Sequence, residues 1–142
     1  MKLSIYRTTA LIAVAAFVGT IAAGAATRTV WDGVYSKAQA SRGQTAYNST
    51  CARCHGDALL GGEEAPALVD HDFLEKWNGK TVGSLVELIR TSMPSDGPGR
   101  LSRKQCTDIA AYLLSANNFP PGDSDLAADA DALNEILFQA KK

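Results

Sequence analysis

The stretch Cys51-Ala52-Arg53-Cys54-His55 decides how the rest of the chain is read. Two thiols three residues apart fall on one side of a helical turn, where both can reach the two vinyl groups of a porphyrin. The imidazole that follows sits where it can meet the iron from the face the peptide covers. Two other chemistries use parts of this pattern. A thioredoxin-like redox pair needs a strand before the motif, and none reads here. Half of a zinc site needs two further ligands, but only Cys106 and His71 remain, with no paired spacing. The motif points to covalently held haem, with Cys51 and Cys54 on the porphyrin and His55 on the iron.

A haem that moves electrons without binding small molecules needs a sixth ligand, and a thioether is a common choice. Beyond the first 26 residues the chain offers one methionine, Met93, 38 positions after His55. Met93 prolongs the apolar stripe of Ile89 by four residues, as an ordinary core residue would. Its place at a helix-to-loop junction, fixed by Pro94, lets it turn inward to a flat cofactor, and this favours the ligand. The competitor, His71, lies between Asp70 and Asp72 and reads as a solvated surface histidine. A neutral, soft thioether stabilises Fe(II) over Fe(III), so the pair His55/Met93 implies a fairly high reduction potential. His55 also needs an acceptor for its other ring nitrogen, and the Pro66 carbonyl is the best candidate. Trp77 reads either as a core aromatic or as an indole donor to a haem propionate. Asn48-Ser49-Thr50 matches a glycosylation sequon, but it lies in the turn entering the haem motif and reads as chance.

The helices around the motif are written in capping and periodicity. Ser36 and Gln39 have the spacing of a capping box, and Ala40, Gly43 and Tyr47 then repeat at helical spacing towards Cys51. Gly43 costs that helix ~1 kcal/mol relative to Ala, so close approach of another backbone is the reason expected for it. The partner expected is the helix opened by a second capping box, Ser102 with Gln105, and running to about Ser115. Between them come a loop from Gly56 to Asp70, a short helix around Phe73, Leu74 and Trp77, and a helix with the stripe Val82, Leu85, Val86 and Ile89. Strand signals are absent, so the class is all-α. Cys106 shares a face with Ile109, Ala110 and Leu113 and reads as a small buried hydrophobe. Leu126, Ala130, Leu133 and Leu137 recur at spacings of four, three and four, which predicts a terminal helix packed back on the domain, with a free partner-binding tail as the alternative.

Residues 1–26 carry Lys2 and Arg7, then an apolar run from Thr8 to Ala26 that ends in small residues. This is the layout of a cleaved secretory signal peptide; a retained membrane anchor is the alternative, since the run approaches the ~20 residues a membrane span needs. The divisions expected are 1–26 signal peptide, 27–35 amino-terminal extension, 36–119 haem domain and 120–142 carboxy-terminal extension. Without residues 1–26 the chain keeps 12 basic against 15 acidic residues, a net charge of −3, which excludes nucleic acid as a natural partner.

With its amino-terminal helix bearing Gly43 and Tyr47, Cys51-Ala-Arg-Cys54-His55, Pro66-Ala-Leu68, Met93-Pro94, and a carboxy-terminal helix with Ile109 and Tyr112, the chain resembles a class I cytochrome c over residues 36–119. The resemblance implies short helices wrapped around one covalent haem c, terminal helices that cross at the small residue, the Pro66 carbonyl holding His55, and Leu68 packed on the porphyrin. It also implies haem attachment outside the bacterial cytoplasm, hence a periplasmic location. A narrower likeness rests on Trp31-Asp32-Gly33-Val34-Tyr35, Gln39-Ala40 with Arg42-Gly43, Thr81-Val82-Gly83, Leu101-Ser102 and Asn118-Phe119-Pro120. These resemble the single-haem modules associated with pyrroloquinoline-quinone dehydrogenases. The function implied is a non-enzymatic one-electron carrier between a periplasmic donor, such as a quinoprotein dehydrogenase, and an oxidase or other acceptor. A permanently docked electron-entry subunit and a haem peroxidase or gas-binding protein are the alternatives. Membrane contact is expected only if residues 1–26 are retained.

Overall fold

In the computed structural model, which describes residues 28–141, helices account for nearly all regular structure. The predicted signal segment, residues 1–26, lies outside the described residues. In chain order the elements are β1 (Arg28–Thr29), α1 (Lys37–Thr50), α2 (Ala52–His55), α3 (Asp70–Trp77), α4 (Val82–Ser92), α5 (Arg103–Ala116), α6 (Ala130–Asn134) and β2 (Ile136–Leu137). No helix among the described residues is long and apolar enough to cross a membrane.

The two long helices start where their caps say. The Ser36 hydroxyl accepts from the Gln39 backbone N–H, and Ser102 with Gln105 forms a full capping box ahead of α5. The box at Ser36 is only half formed. Gln39 is spent elsewhere: its buried side-chain amide donates to Leu126 O at 3.0 Å and accepts from Leu126 N at 2.6 Å. A side chain that satisfies both backbone groups of Leu126 cannot also cap α1, and the clasp fixes the carboxy-terminal segment on that helix.

Helix α1 crosses α5 at Gly43. A Cβ built there would lie 1.8 Å from the carbonyl oxygen of Asp108 and 3.0 Å from Tyr112 Cβ, so the crossing admits only hydrogen at this position. Tyr47 and Tyr112 continue the seam, with ring centroids 5.3 Å apart. Asp108 closes it at the polar edge, receiving Lys104 at 2.8 Å and Arg42 at 3.4 Å. Burial would push this carboxyl up, but those cationic donors outweigh it and hold the group below the usual aspartate value.

The segments flanking the haem domain are built into the same core. Val30, Val34 and Tyr35 on one side and Leu126, Leu133, Ile136 and Phe138 on the other are buried. The expected terminal helix is instead the five-residue α6, followed by β2, which pairs parallel to β1 with Arg28 opposite Ile136 and Thr29 opposite Leu137. Asp129 caps α6 through its side chain, so the helix begins at Ala130, four residues after Leu126, and Leu137 belongs to the strand. Two-residue strands are too short for the alternation that reveals a strand in sequence. The segment does pack back on the domain, which excludes the free tail.

Candidate functional site

Short-range chemistry brings the haem motif to the wall of a cavity of about 490 Å³, within the ~300–1,000 Å³ of ligand clefts. Helix α1 ends at Thr50, and one further turn, α2, carries Ala52 to His55. Cys51, Cys54 and His55 all line the cavity, and neither cysteine is in a disulfide. Burial pushes the Cys51 thiol up to about 11. Ala52 is buried on the protein side of the same turn, while Arg53 points outward.

His55 Nδ1 donates to the Pro66 carbonyl at 2.8 Å, which leaves Nε2 as the ring nitrogen free for a metal. The loop that carries Pro66 is drawn in by backbone bonds from Gly61 N to His55 O (2.9 Å), Gly62 N to Ala65 O and Leu68 N to Leu59 O (both 2.8 Å). Gly61 is required here. Its φ is +71°, and a Cβ would lie 2.5–2.6 Å from the backbone of Ala65, Pro66 and Ala67. Pro66 and Leu68 face the same cavity.

The opposite wall comes from the stripes of α4 and α5, where Leu85, Ile89, Ile109 and Leu113 supply an apolar lining. Met93 stands at the end of α4, in extended conformation, with its N–H still bonded to Ile89 O at 3.1 Å, and it too lines the cavity. Trp77 and Phe73 of α3 complete the wall, and Trp77 is a buried aromatic rather than a surface residue. His71 is not brought in. Its side chain is 82% exposed beside Asp72 and Glu75. Cys106 is fully buried on the α5 stripe, and it does not line the cavity.

Two long-range contacts at the site carry no local signal in the sequence. Arg53 Nη2 lies 2.6 Å from Asp96 Oδ2, tying the haem-motif turn to the loop just past Met93, and both residues line the cavity. Asn117, at the end of α5, donates through Nδ2 to Leu68 O and to Leu113 O, both at 2.9 Å. It thereby anchors the loop that receives His55.

The donor set fits an iron porphyrin and not a bare ion. Two free thiols, one imidazole with a fixed tautomer and one thioether share a single apolar cavity. Among the described residues no group of three His, Cys, Asp or Glu side chains is placed to hold a metal ion alone. Helices around such a cavity define a single-haem c-type cytochrome of class I. The family model described as "Cytochrome C oxidase, cbb3-type, subunit III" matches residues 38–113, more than half of the chain, and the chain belongs to that family of cytochrome c domains. Membership brings covalent haem c with its iron, and electron transfer as the general role.

Among solved structures, the chain is similar in fold to one from the crystal structure of the sulfane dehydrogenase SoxCD from Paracoccus pantotrophus. The TM-score is 0.51 at 20% identity, over 76% of this chain and 61% of that one, so this chain matches less than two thirds of that chain's length. No curated relative matches the chain.

Proposed function

We propose that this protein is an exported, periplasmic one-electron carrier whose iron is held by His55 and Met93. The observation that carries the reading is the meeting of Cys51, Cys54, His55 and Met93 on one apolar cavity, with His55 Nδ1 engaged by Pro66. Bound haem c supplies a one-electron Fe(III)/Fe(II) couple. Cys51 and Cys54 hold the porphyrin by thioethers. The hydrogen bond to Pro66 orients the His55 ring and raises its basicity as a ligand. Leu68, Leu85, Ile89, Ile109 and Leu113 keep water from the group, which favours the less charged ferrous state. Met93 fills the position a small substrate would need, and this argues for a carrier over a peroxidase or gas-binding protein.

Export is supported by the arrangement of residues 1–26, with a charged start, an apolar run and a small-residue end. The donor is a periplasmic dehydrogenase, of which a quinoprotein is one candidate, and the acceptor is an oxidase or another redox protein. A second reading, a subunit held permanently in a larger redox complex, draws on the oxidase-subunit family and the dehydrogenase neighbour. The carboxy-terminal segment is no free tail for such docking, since Leu126, Leu133, Ile136 and Phe138 are buried in the fold.

The ferric protein should show the weak far-red charge-transfer band of sulfur-to-iron ligation, and Met93→Ala should abolish it. A band that survives in the mutant, or a bis-histidine native spectrum, overturns the ligand assignment. Reduced protein mixed with carbon monoxide, and ferric protein with hydrogen peroxide, should react slowly at neutral pH. Rapid binding or turnover would overturn the carrier reading. Purification from periplasm without a tightly bound partner separates carrier from subunit.

A further inference from the structure

Behind the haem cavity lies a ring that does not touch it. Phe138 is 1% exposed, belongs to the segment after β2, and lies outside residues 38–113 that match the family. Its ring sits 6.0 Å from Trp77, at a 37° tilt, and 6.3 Å edge-on to Phe73, and those two aromatics line the cavity. It also meets Phe119 edge-on at 6.0 Å, and Phe119 in turn meets Trp31 at 4.8 Å.

The backbone around Phe138 is clamped as firmly as its ring. Phe138 N donates to Lys80 O at 2.8 Å, and Gly79 N donates to Phe138 O at 2.9 Å, so the segment is paired with the turn that ends α3. Ala140 N donates to Asn78 Oδ1 at 3.0 Å and Trp31 Nε1 to Gln139 O at 2.9 Å. Four bonds thus hold residues 138–140 between the α3–α4 turn and the amino-terminal segment.

We infer that Phe138 is a positioning residue for the haem pocket, holding Trp77 and Phe73 as a closed wall through their rings. The physical chain is short. Removing the Phe138 ring lets the Trp77 indole tilt back into the vacated space. That movement opens the haem side of the wall to water. Water near the iron stabilises the ferric charge, so the midpoint potential falls. This rests on the cavity being the haem site, which the absorption spectrum of the wild-type protein tests separately.

The experiment compares haem-loaded Phe138→Ala, Phe138→Leu and Leu126→Ala by redox titration and thermal melting. Leu126 is a buried residue of the same extension, clasped by Gln39 of α1, and its truncation serves as the structural control. The expected result is a lower midpoint potential in Phe138→Ala, a smaller shift of the same sign in Phe138→Leu, and a wild-type potential in Leu126→Ala despite its lower melting temperature. Wild-type potentials in both Phe138 variants overturn the inference. So does an equal shift in Leu126→Ala, which would make the effect one of general loosening. Should Phe138→Ala fail to fold, Phe138→Leu against Leu126→Ala decides by the same criterion.

Discussion

Replacing Gly43 by Ala sets two calculable effects against each other. In an isolated helix the change should stabilise by ~1 kcal/mol, because Gly is the poorer helix former. In this fold the new Cβ would sit 1.8 Å from Asp108 O and 2.5 Å from Asp108 C, and both are backbone atoms of α5 that cannot rotate away. A carbon needs about 3.3 Å from a carbonyl oxygen, so the helices must part by roughly 1.5 Å. A gap of even 0.5–1 Å forfeits about a quarter to a half of each dispersion contact, and here the loss runs along the α1–α5 seam, including Tyr47 against Tyr112. Overpacking of this kind costs ~1–3 kcal/mol or more. With the seam opened, we expect the upper end of that range to exceed the helix gain, for a net loss of about 2 kcal/mol. For a domain of this size that lowers the melting temperature by roughly 10 °C. Thermal and guanidinium melts of the haem-loaded protein read it directly. A Gly43→Ala protein as stable as wild type, or more stable, would refute the crossing geometry and leave helix propensity in charge.

Three further outcomes follow from other contacts. Cys106 is fully buried and burial pushes its thiol up, so one thiol should titrate in the denatured haem-loaded protein and almost none in the native one; rapid native labelling would contradict its placement. Asp108 has its folded value depressed, so its stabilising contribution is complete above the usual aspartate value of 3.8 and is lost as pH falls through the lower folded value. Asp108→Asn should therefore cost ~1–2 kcal/mol at pH 7 and flatten the stability loss below about pH 4, and an unchanged acid limb in urea melts would exclude Asp108 as a contributor. Asn117→Ala should cost ~1–3 kcal/mol by leaving the Leu68 and Leu113 carbonyls without their side-chain donor, and wild-type stability would mean that another donor replaces it.

What could be read from the sequence is what local chemistry encodes. The five residues from Cys51 to His55, the cap at Ser102 and the stripe from Val82 to Ile89 each act within a few turns of chain, and Gly43 marks a crossing by its cost to its own helix. Their placement follows from spacing alone. Pro66 as the acceptor for His55 was reachable by the same route, because eleven residues and a loop with Gly61 and Gly62 separate the two. Arg53 with Asp96 and Asn117 with Leu68 were not, since 43 and 49 residues of chain separate the partners and neither residue type implies the other.

The carboxy-terminal segment shows why periodicity can mislead. Leu126, Ala130, Leu133 and Leu137 have helical spacing, but only Leu126 and Leu133 are buried, Ala130 is exposed, and the leucines are held in three different ways. Leu126 is held outside any helix by both ends of the Gln39 amide, Leu133 sits on the short α6, and Leu137 pairs with Thr29. A run of aspartates in this segment also favours caps over helix interior, and Asp129 takes that role. Helix propensity is a weak prior beside partners that satisfy backbone groups outright. The same segment carries Phe138 to within 6.0 Å of the Trp77 ring, so the part of the chain least readable from its own pattern packs against a residue that lines the pocket. The haem-motif side of the site is written in adjacent residues, whereas the packing of Phe138 against Trp77 accompanies the pairing of β1 with β2, more than a hundred residues apart in sequence.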